Sequence, residues 1–148
     1  AGAGREARPV PYWSARAAAE RGARALLDLP DREAVDRLEA ELRRAIGKQM
    51  VADVPLGAFL SGGVDSTTVV ALMQAQSDRP VRTFTIGFHE KEHNEAEFAK
   101  DVAKHLGTDH TEMYVSGDDA LNVIPLLPSL YDEPFSDYSQ IPTYLVCK

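Results

Sequence analysis

The chain has 148 residues, 44% of them hydrophobic, which allows one ordinary core but leaves little room for a second domain. Its formal net charge of −7 would repel a phosphate backbone, so the composition excludes a nucleic-acid partner. No apolar run approaches the roughly 20 residues of a bilayer span and there is no signal-peptide core, so we expect no membrane partner and a cytoplasmic location. Cys147 is the only cysteine, which excludes an internal disulfide.

Residues 1–29 are rich in alanine and arginine, and the pair Tyr12 and Trp13 follows two prolines. This pattern predicts a linker with an aromatic anchor. Acidic residues within it argue against a transit peptide. The chain begins at Ala1 and ends at Lys148 within an apolar stretch, so we expect a piece of a longer protein.

The first predicted helix begins near Asp31, which we expect to be its N-cap. Apolar residues then recur at three- and four-residue steps, as on the buried face of a helix. The members of this face are Val35, Leu38, Leu42, Ala45 and Ile46.

A short apolar run from Leu56 to Leu60 predicts a strand covered on both faces, as in a parallel sheet. Two glycines follow, and then an apolar stripe of helical spacing. The stripe consists of Val69, Val70, Leu72 and Met73. The order is therefore strand, glycine turn, helix.

A second strand and helix come next. Alternating apolar residues predict the strand, and Asn94 with Glu97 at the capping-box position predicts the start of the helix, which Gly107 ends. The strand residues are Val81, Phe84, Ile86 and Phe88, and the expected buried helix face is Phe98, Val102 and Leu106.

Alternation at Thr111, Met113 and Val115 suggests a third strand, and the segment after Ser116 reads as helical until two prolines interrupt it. Strands that alternate with helices imply crossover connections and a mostly parallel sheet. We therefore predict an α/β fold, a layered, mostly parallel sheet flanked by helices, which we expect to be truncated.

The residues that carry chemistry stand at the first strand-to-helix junction, in the sequence Ser61-Gly62-Gly63-Val64-Asp65-Ser66. A helix N-terminus attracts anions, glycines let the main chain approach a polyphosphate, and serine hydroxyls donate to phosphate oxygens. A carboxylate beside phosphates is repulsive unless a divalent cation lies between them. Asp65 therefore argues for Mg²⁺.

Two other interpretations of this loop stay open on spacing alone. Gly57 and Gly62 have the offset of a Walker A loop, but Gly63-Val64 occupies the positions of its lysine and its hydroxyl residue, which disfavours γ-phosphoryl transfer. The simpler alternative is a tight turn in which Asp65 or Ser61 caps the helix.

The loop resembles the phosphate-binding loop of the adenylate-forming ATP pyrophosphatases, and the flanking sequence resembles the asparagine synthetase (glutamine-hydrolysing) synthetase domain. The likeness spans about residues 12–148. It is carried by Tyr12-Trp13 and by the runs 52–60, 83–88 and 131–135, which read ADVPLGAFL, TFTIGF and YDEPF. The resemblance implies an adenine nucleotide alpha hydrolase-like fold for residues 30–148, with residues 1–29 as the linker from a glutaminase domain.

By that resemblance, ATP binds across the carboxyl ends of the first two strands with Mg²⁺. The implied nucleoside-binding residues are Leu60 and Ile86, through their backbone groups, and Gly87 would leave space for the nucleoside. The implied ligands of the β- and γ-phosphates are Ser61, Gly62, Gly63 and Ser66. Asp65 would hold the metal. Asp65 and Ser66 are the implied catalytic residues. Glu133 and Asp137 are weaker candidates for the metal or the substrate.

The implied reaction adenylates the side-chain carboxylate of aspartate for attack by ammonia, giving asparagine, AMP and pyrophosphate. Ammonia would come from a glutaminase domain that this chain lacks, and a second acidic loop would lie beyond Lys148, so we expect the chain alone to be inactive. Residues 135–140 resemble a branch some of whose members amidate other carboxylates, including sugar acids. A non-catalytic nucleotide-binding module is the other alternative, an oligomer stays open, and the negative charge disfavours a tRNA-modifying enzyme.

Residues 89–93 match the zinc-protease pattern H-E-x-x-H, but that pattern needs a helix, and here we predict a polar loop without zinc. We expect His105 and His110 to be solvated or packed. Cys147 is expected to pack rather than to act as a nucleophile, since no base lies near it in sequence.

Overall fold

The computed structural model of the protein describes residues 9–88, 95–134, 136, 137 and 139–148. They belong to two compact units, one ending at Leu38 and the other running from Glu39 to Lys148. Across these described residues, no helix combines the length and apolar character needed to cross a bilayer.

The helices and strands follow one another along the chain in an alternating order. They are α1 (Ala15–Arg24), α2 (Asp31–Gln49), β1 (Gly57–Phe59), α3 (Val64–Gln74), β2 (Arg82–Phe88), α4 (Ala96–Leu106), β3 (Asp109–Val115), α5 (Gly117–Val123), a 3-10 turn (Ile124–Leu126), α6 (Leu127–Leu130) and α7 (Gln140–Cys147).

Helix α1 lies inside the segment that the sequence predicted as a linker. Its N-cap is Ser14, whose hydroxyl accepts a hydrogen bond from the amide of Ala17 at 3.3 Å. Tyr12 and Trp13 are exposed just before it. Repeated alanines favour helix here without a buried face, because propensity and a cap are local effects.

Helix α2 was predicted correctly as an element, but its cap and its buried face were not. Asp31 is the first residue of the helix and not, as predicted, its N-cap. Val35 and Leu38 are 61% and 60% exposed, and Leu42 and Ile46 are half-buried. An apolar stripe predicts a helix, but its burial requires a facing surface that the stripe does not specify.

The three strands of the described residues form one parallel sheet in the order β1-β2-β3, with Phe59 opposite Phe84 and Phe88 opposite Val115. The predicted α/β fold, a parallel sheet flanked by helices, is therefore confirmed. Strand β1 is shorter than predicted and lies at an edge, so Phe59 is exposed instead of covered on both faces.

Strand β2 alternates as predicted, but its more buried face is the opposite one. Thr83, Thr85 and Gly87 are buried, whereas Phe84 and Ile86 are only half-buried. The threonine face lies toward α4, because a Cβ on Gly87 would come within 3.0 Å of the Cβ of Ala96. Small side chains on both elements permit this close approach.

Helix α4 packs through alanines rather than through the predicted larger residues. Ala96, Ala99 and Ala103 are buried, whereas Phe98 is 70% exposed. The predicted face is therefore wrong at Phe98, whereas Val102 and Leu106 are partly buried against the core. That core joins Leu60 at the end of β1, Val70 of α3, Ala99 and Ala103.

The sequence predicted how α4 begins and ends, and the two ends have different outcomes. Gly107 ends the helix in the left-handed conformation, with φ 70°, as predicted. At the other end the N-cap is Glu95, whose side chain makes no capping hydrogen bond, and the box predicted for Asn94 with Glu97 stays a prediction. Asn94 lies outside the described residues.

The third strand and the helix after Ser116 are both confirmed. Ser116 and Asp119 form a reciprocal capping box at the start of α5, with the Asp119 amide 3.2 Å from the Ser116 hydroxyl. The prolines then break the chain into the 3-10 turn and the short α6. Helix α7 follows and lies against β2 at the sheet's carboxyl edge.

Candidate functional site

The glycine and serine loop connects the carboxyl end of β1 to the first turn of α3. Gly63 is the N-cap of α3 and has an extended conformation, with no side-chain hydrogen bond as a cap. The alternative in which Asp65 or Ser61 caps this helix is therefore wrong. The amino end of α3 keeps the unpaired N–H groups and the partial positive charge that favour an anion.

The two serines of the loop hold each other. The hydroxyls of Ser61 and Ser66 are 2.9 Å apart, and the Ser66 hydroxyl also lies 3.2 Å from the Ser61 amide. The Gly63 amide donates to the Ser61 hydroxyl at 3.3 Å. The two predicted phosphate-binding hydroxyls thus lie together in the loop, and their hydrogen bonds are ones that phosphate oxygens could replace.

The two glycines of the loop differ in the space around them and in backbone conformation. Gly62 has φ 80°, and a Cβ there would lie 2.8 Å from the Cβ of Phe98 and 2.9 Å from the amide nitrogen of Ala99. A Cβ on Gly63 would meet only the Ser61 hydroxyl, at 3.4 Å. Gly62 therefore brings the loop onto α4, whereas Gly63 leaves the approach to the helix end open.

A cleft of about 320 Å³ lies beside the loop, at the carboxyl ends of β1 and β2. Such crevices outside the carboxyl ends of parallel strands are the usual ligand sites of open α/β sheets. The residues that line it are Phe59, Leu60, Ser61, Phe84, Thr85, Ile86, Glu95, Ser139, Pro142, Thr143 and Val146. It therefore brings together the predicted residues Leu60, Ser61 and Ile86.

The backbone groups of Leu60 and Ile86 are in different situations. The Leu60 amide donates to the Phe84 carbonyl at 2.9 Å, and its carbonyl accepts from the Thr85 hydroxyl. Peptide groups of a strand alternate in direction, so those of Ile86 face the same side as those of Phe84. Strand β1 ends opposite Phe84, which leaves the Ile86 groups beyond its last pair.

Gly87 does not line the cleft. A Cβ at this position would lie 2.7 Å from the Tyr114 ring and 3.0 Å from the Ala96 Cβ, so the space beside Gly87 belongs to β3 and α4. This packing alone requires a glycine there.

The acidic candidates are separated in space. Asp65 is exposed in the first turn of α3, at the loop. Glu133 lines a different hollow, with Tyr131 and Gln140, and neither Glu133 nor Asp137 lines the cleft. Within the described ranges, no group of three or more acidic, histidine or cysteine side chains is placed to hold a metal ion.

Asp137 has a local role in the turn before α7. Its carboxylate accepts a hydrogen bond from the Ser139 amide at 2.8 Å. Hydrogen bonds from the Ser139 side chain and amide lower the pKa of Asp137. The turn thereby positions α7, which contributes Pro142, Thr143 and Val146 to the cleft.

Sequence reasoning missed Glu95 and these α7 residues. Glu95 carries no motif, and a packed helix such as α7 gives no sign of which strand ends it will cover. The H-E-x-x-H segment, residues 89–93, lies outside the described residues. Cys147 is exposed rather than packed, whereas His110 is packed as expected, with its Nδ1 atom 2.9 Å from the Thr83 hydroxyl.

Comparison with known proteins identifies the family of this chain. The family model described as asparagine synthase matches residues 37–148. The chain belongs to the asparagine synthase family.

Three relatives show how far the similarity extends. A putative asparagine synthetase [glutamine-hydrolyzing] 2 of Methanocaldococcus jannaschii is 36% identical over 150 residues, covering 96% of this chain and 26% of the relative. Asparagine synthetase [glutamine-hydrolyzing] 1 of Bacillus subtilis is 36% identical over 118 residues, covering 76% of this chain and 18% of the relative. A putative asparagine synthetase of Mycobacterium tuberculosis is 36% identical over 118 residues, covering 80% of this chain and 18% of the relative.

This asparagine synthase family member therefore spans about a quarter or less of the length of these relatives. The family match covers α2 from residue 37 onward, the whole sheet, and every residue of the cleft.

Proposed function

We propose that this chain forms the nucleotide-binding part of an ATP-dependent, amide-forming ligase that adenylates the side-chain carboxylate of aspartate for attack by ammonia. The products are asparagine, AMP and pyrophosphate. The observation that carries the proposal is the junction of the cleft with the Ser61–Ser66 loop at the carboxyl end of β1. Family membership and the names of the relatives support the choice of reaction.

In this proposal the nucleoside occupies the cleft, and the phosphates extend to the first turn of α3. Ile86 offers the base backbone groups that lie beyond the last residue pair of β1, and the half-buried ring of Phe84 supplies apolar surface. Leu60 adds surface rather than an amide, since its N–H is already bonded to Phe84. Gly62 allows the loop to lie directly against α4.

The β- and γ-phosphates take over the hydrogen bonds that Ser61 and Ser66 make to each other. The amides at the start of α3 add fixed positive potential. The substrate carboxylate attacks the α-phosphorus, the bond to the β-phosphate oxygen breaks, and pyrophosphate leaves. Ammonia then attacks the acyl carbon, loses a proton and displaces AMP. Positioning and charge neutralisation supply most of the rate enhancement in such a step.

Asp65 is the residue that would hold Mg²⁺. A single exposed carboxylate beside a phosphate loop fits this ion, because Mg²⁺ in nucleotide sites keeps waters and takes phosphate oxygens as ligands. When bound, the ion neutralises charge on the leaving pyrophosphate. Glu133 and Asp137 belong neither to the cleft nor to the Ser61–Ser66 loop, so we assign them no part in holding the ion.

We further propose that turnover needs segments that the longer relatives contain and that this chain does not supply. The relatives' names describe glutamine hydrolysis, which would be the source of ammonia. The chain alone is then expected to bind Mg·ATP without forming product.

The test has two stages. Calorimetry first measures Mg·ATP binding to this chain and to Asp65→Asn. A full-length protein that contains the chain is then assayed for ATP–pyrophosphate exchange with aspartate, glutamate and uronic acids. Exchange that depends on aspartate supports the proposal.

Other outcomes are informative as well. Exchange that depends on a uronic acid keeps the adenylation and replaces the substrate. Binding without exchange for any acid contradicts catalysis and favours a nucleotide-binding module. Product formed by this chain alone from Mg·ATP, ammonia and aspartate contradicts the need for further segments.

A further inference from the structure

Glu95 stands out among the residues that line the cleft. It is the only one of the described lining residues with an ionisable side chain, and the others are apolar or carry a hydroxyl. It precedes α4 as its N-cap, yet its side chain makes no capping hydrogen bond. The carbonyl of Glu95 accepts from the Ala99 amide at 3.1 Å, so the backbone is held while the carboxylate stays exposed.

The position of Glu95 is tied to the phosphate loop through α4. The Ala99 amide, bonded to Glu95, is the atom that would lie 2.9 Å from a Cβ on Gly62. The first turn of α4 therefore packs against the loop at Gly62. Glu95 lines the same cleft as Ser61 of the loop and Ile86 of β2.

The chemistry of a carboxylate selects the part of ATP that it faces. It accepts hydrogen bonds and donates none when ionised. The triphosphate is anionic and offers no donor, and it would repel Glu95. The ribose is neutral and offers two adjacent hydroxyl donors, the pair that acidic residues accept in dinucleotide sites.

We propose that Glu95 is a nucleotide-specificity residue whose carboxylate accepts hydrogen bonds from the ribose 2′- and 3′-hydroxyls of ATP. The inference rests on the proposed function, because it requires the nucleoside to occupy this cleft. It assigns the start of α4 two roles, support of the loop through Ala99 and recognition of the sugar through Glu95.

The test is a thermodynamic cycle on this chain with two nucleotides and three proteins. Calorimetry gives the Kd of Mg·ATP and of Mg·2′,3′-dideoxy-ATP for the wild type, Glu95→Gln and Glu97→Gln. Glu97 is the matched control, because it carries the same charge in the first turn of α4 and does not line the cleft. Coupling between the side chain and the hydroxyls is what the cycle isolates.

The wild type is expected to bind ATP about tenfold more tightly than the dideoxy analogue, as for a hydrogen bond to a charged group. Glu95→Gln should lower that ratio severalfold by weakening ATP binding, and Glu97→Gln should keep it. An unchanged ratio in Glu95→Gln, or an equal fall in both variants, overturns the inference and leaves the proposed function standing. Failure of the wild type to bind either nucleotide overturns both.

Discussion

The hydroxyl oxygens of Ser61 and Ser66 lie 2.9 Å apart, across the loop that joins β1 to α3. The contact closes the loop upon itself and satisfies both hydroxyls. A phosphate that enters the loop would exchange these bonds for its own, so the pair holds the donors in place at little cost.

Ser66→Ala is expected to raise the Kd of Mg·ATP about tenfold, because one charge-assisted hydrogen bond is lost. Thr68→Ala is the matched control. The Thr68 hydroxyl is exposed on the same helix and bonds the Val64 carbonyl at 2.8 Å, away from the cleft. Calorimetric titration of both variants checks the prediction, and an equal loss in the two would argue against a phosphate contact at Ser66.

Gly62→Ala is expected to destabilise the protein by about 2–4 kcal/mol, since a positive φ and a steric overlap with α4 add together. Gly107→Ala separates the two costs. Gly107 has φ 70° but open space around it, so only the conformational cost of about 1–2 kcal/mol applies.

Urea unfolding measured for both glycine variants gives the two free energies. A cost at Gly62 no greater than that at Gly107 would show that the loop and α4 do not pack as described. Gly63→Ala, with φ −71°, is a further reference and should change stability least.

Asp65→Asn is expected to weaken ATP binding when Mg²⁺ is present and to leave it equal or tighter in EDTA. The sign changes because a carboxylate attracts the ion but repels the bare triphosphate. Asp118→Asn removes the same charge from the first turn of α5, away from the loop, and serves as the control. A similar loss with and without Mg²⁺ would count against a metal ligand at Asp65.

The stability of the chain is expected to fall as the pH drops through the histidine range. Burial lowers the pKa of His110 from its ordinary value of 6.5, so between the two pKa values the unfolded chain binds more protons than the folded one. This contribution to stability is complete above pH 6.5 and is lost as the pH falls through the folded-state pKa.

The surroundings of His110 explain why its pKa is lowered. Its Nε2 atom is buried and lacks a hydrogen-bond partner among the described residues. Glu112 partly offsets the effect of burial on the pKa, and Lys100 lowers the pKa further. Unfolding free energies of the wild type and His110→Gln between pH 5 and 8 check this point. The variant should lose the slope and exposed His105→Gln should keep it, and a slope retained in His110→Gln contradicts the account.

Local signals were enough for the elements from α2 to α5 and for the loop between β1 and α3. Alternation identified β2 and β3, a glycine ended α4 at Gly107, and Ser116 marked the start of α5. Each of these depends on residues within a few positions of one another, through propensity, capping or a positive φ. The same is true of the Ser61–Ser66 loop, whose strand and helix context follows from the neighbouring sequence.

Faces and clefts were decided by tertiary packing. Hydrophobicity alone predicted Phe98 as buried, but the alanine face of α4 fits against Thr83 and Thr85 of β2, because small side chains let the two backbones approach. Glu133 and Asp137 follow one another closely in sequence near the predicted site, yet neither lines the cleft.

The sequence by itself determined the order of the elements from α2 to α5, the parallel α/β class and the glycine and serine loop between β1 and α3, since all of these arise from short-range patterns. Only the tertiary structure placed Glu95 and α7 beside Ile86, and only it showed that Gly62 and Gly87 leave room for neighbouring elements. The physical reason is that contacts between distant segments depend on shape complementarity, which no local pattern encodes.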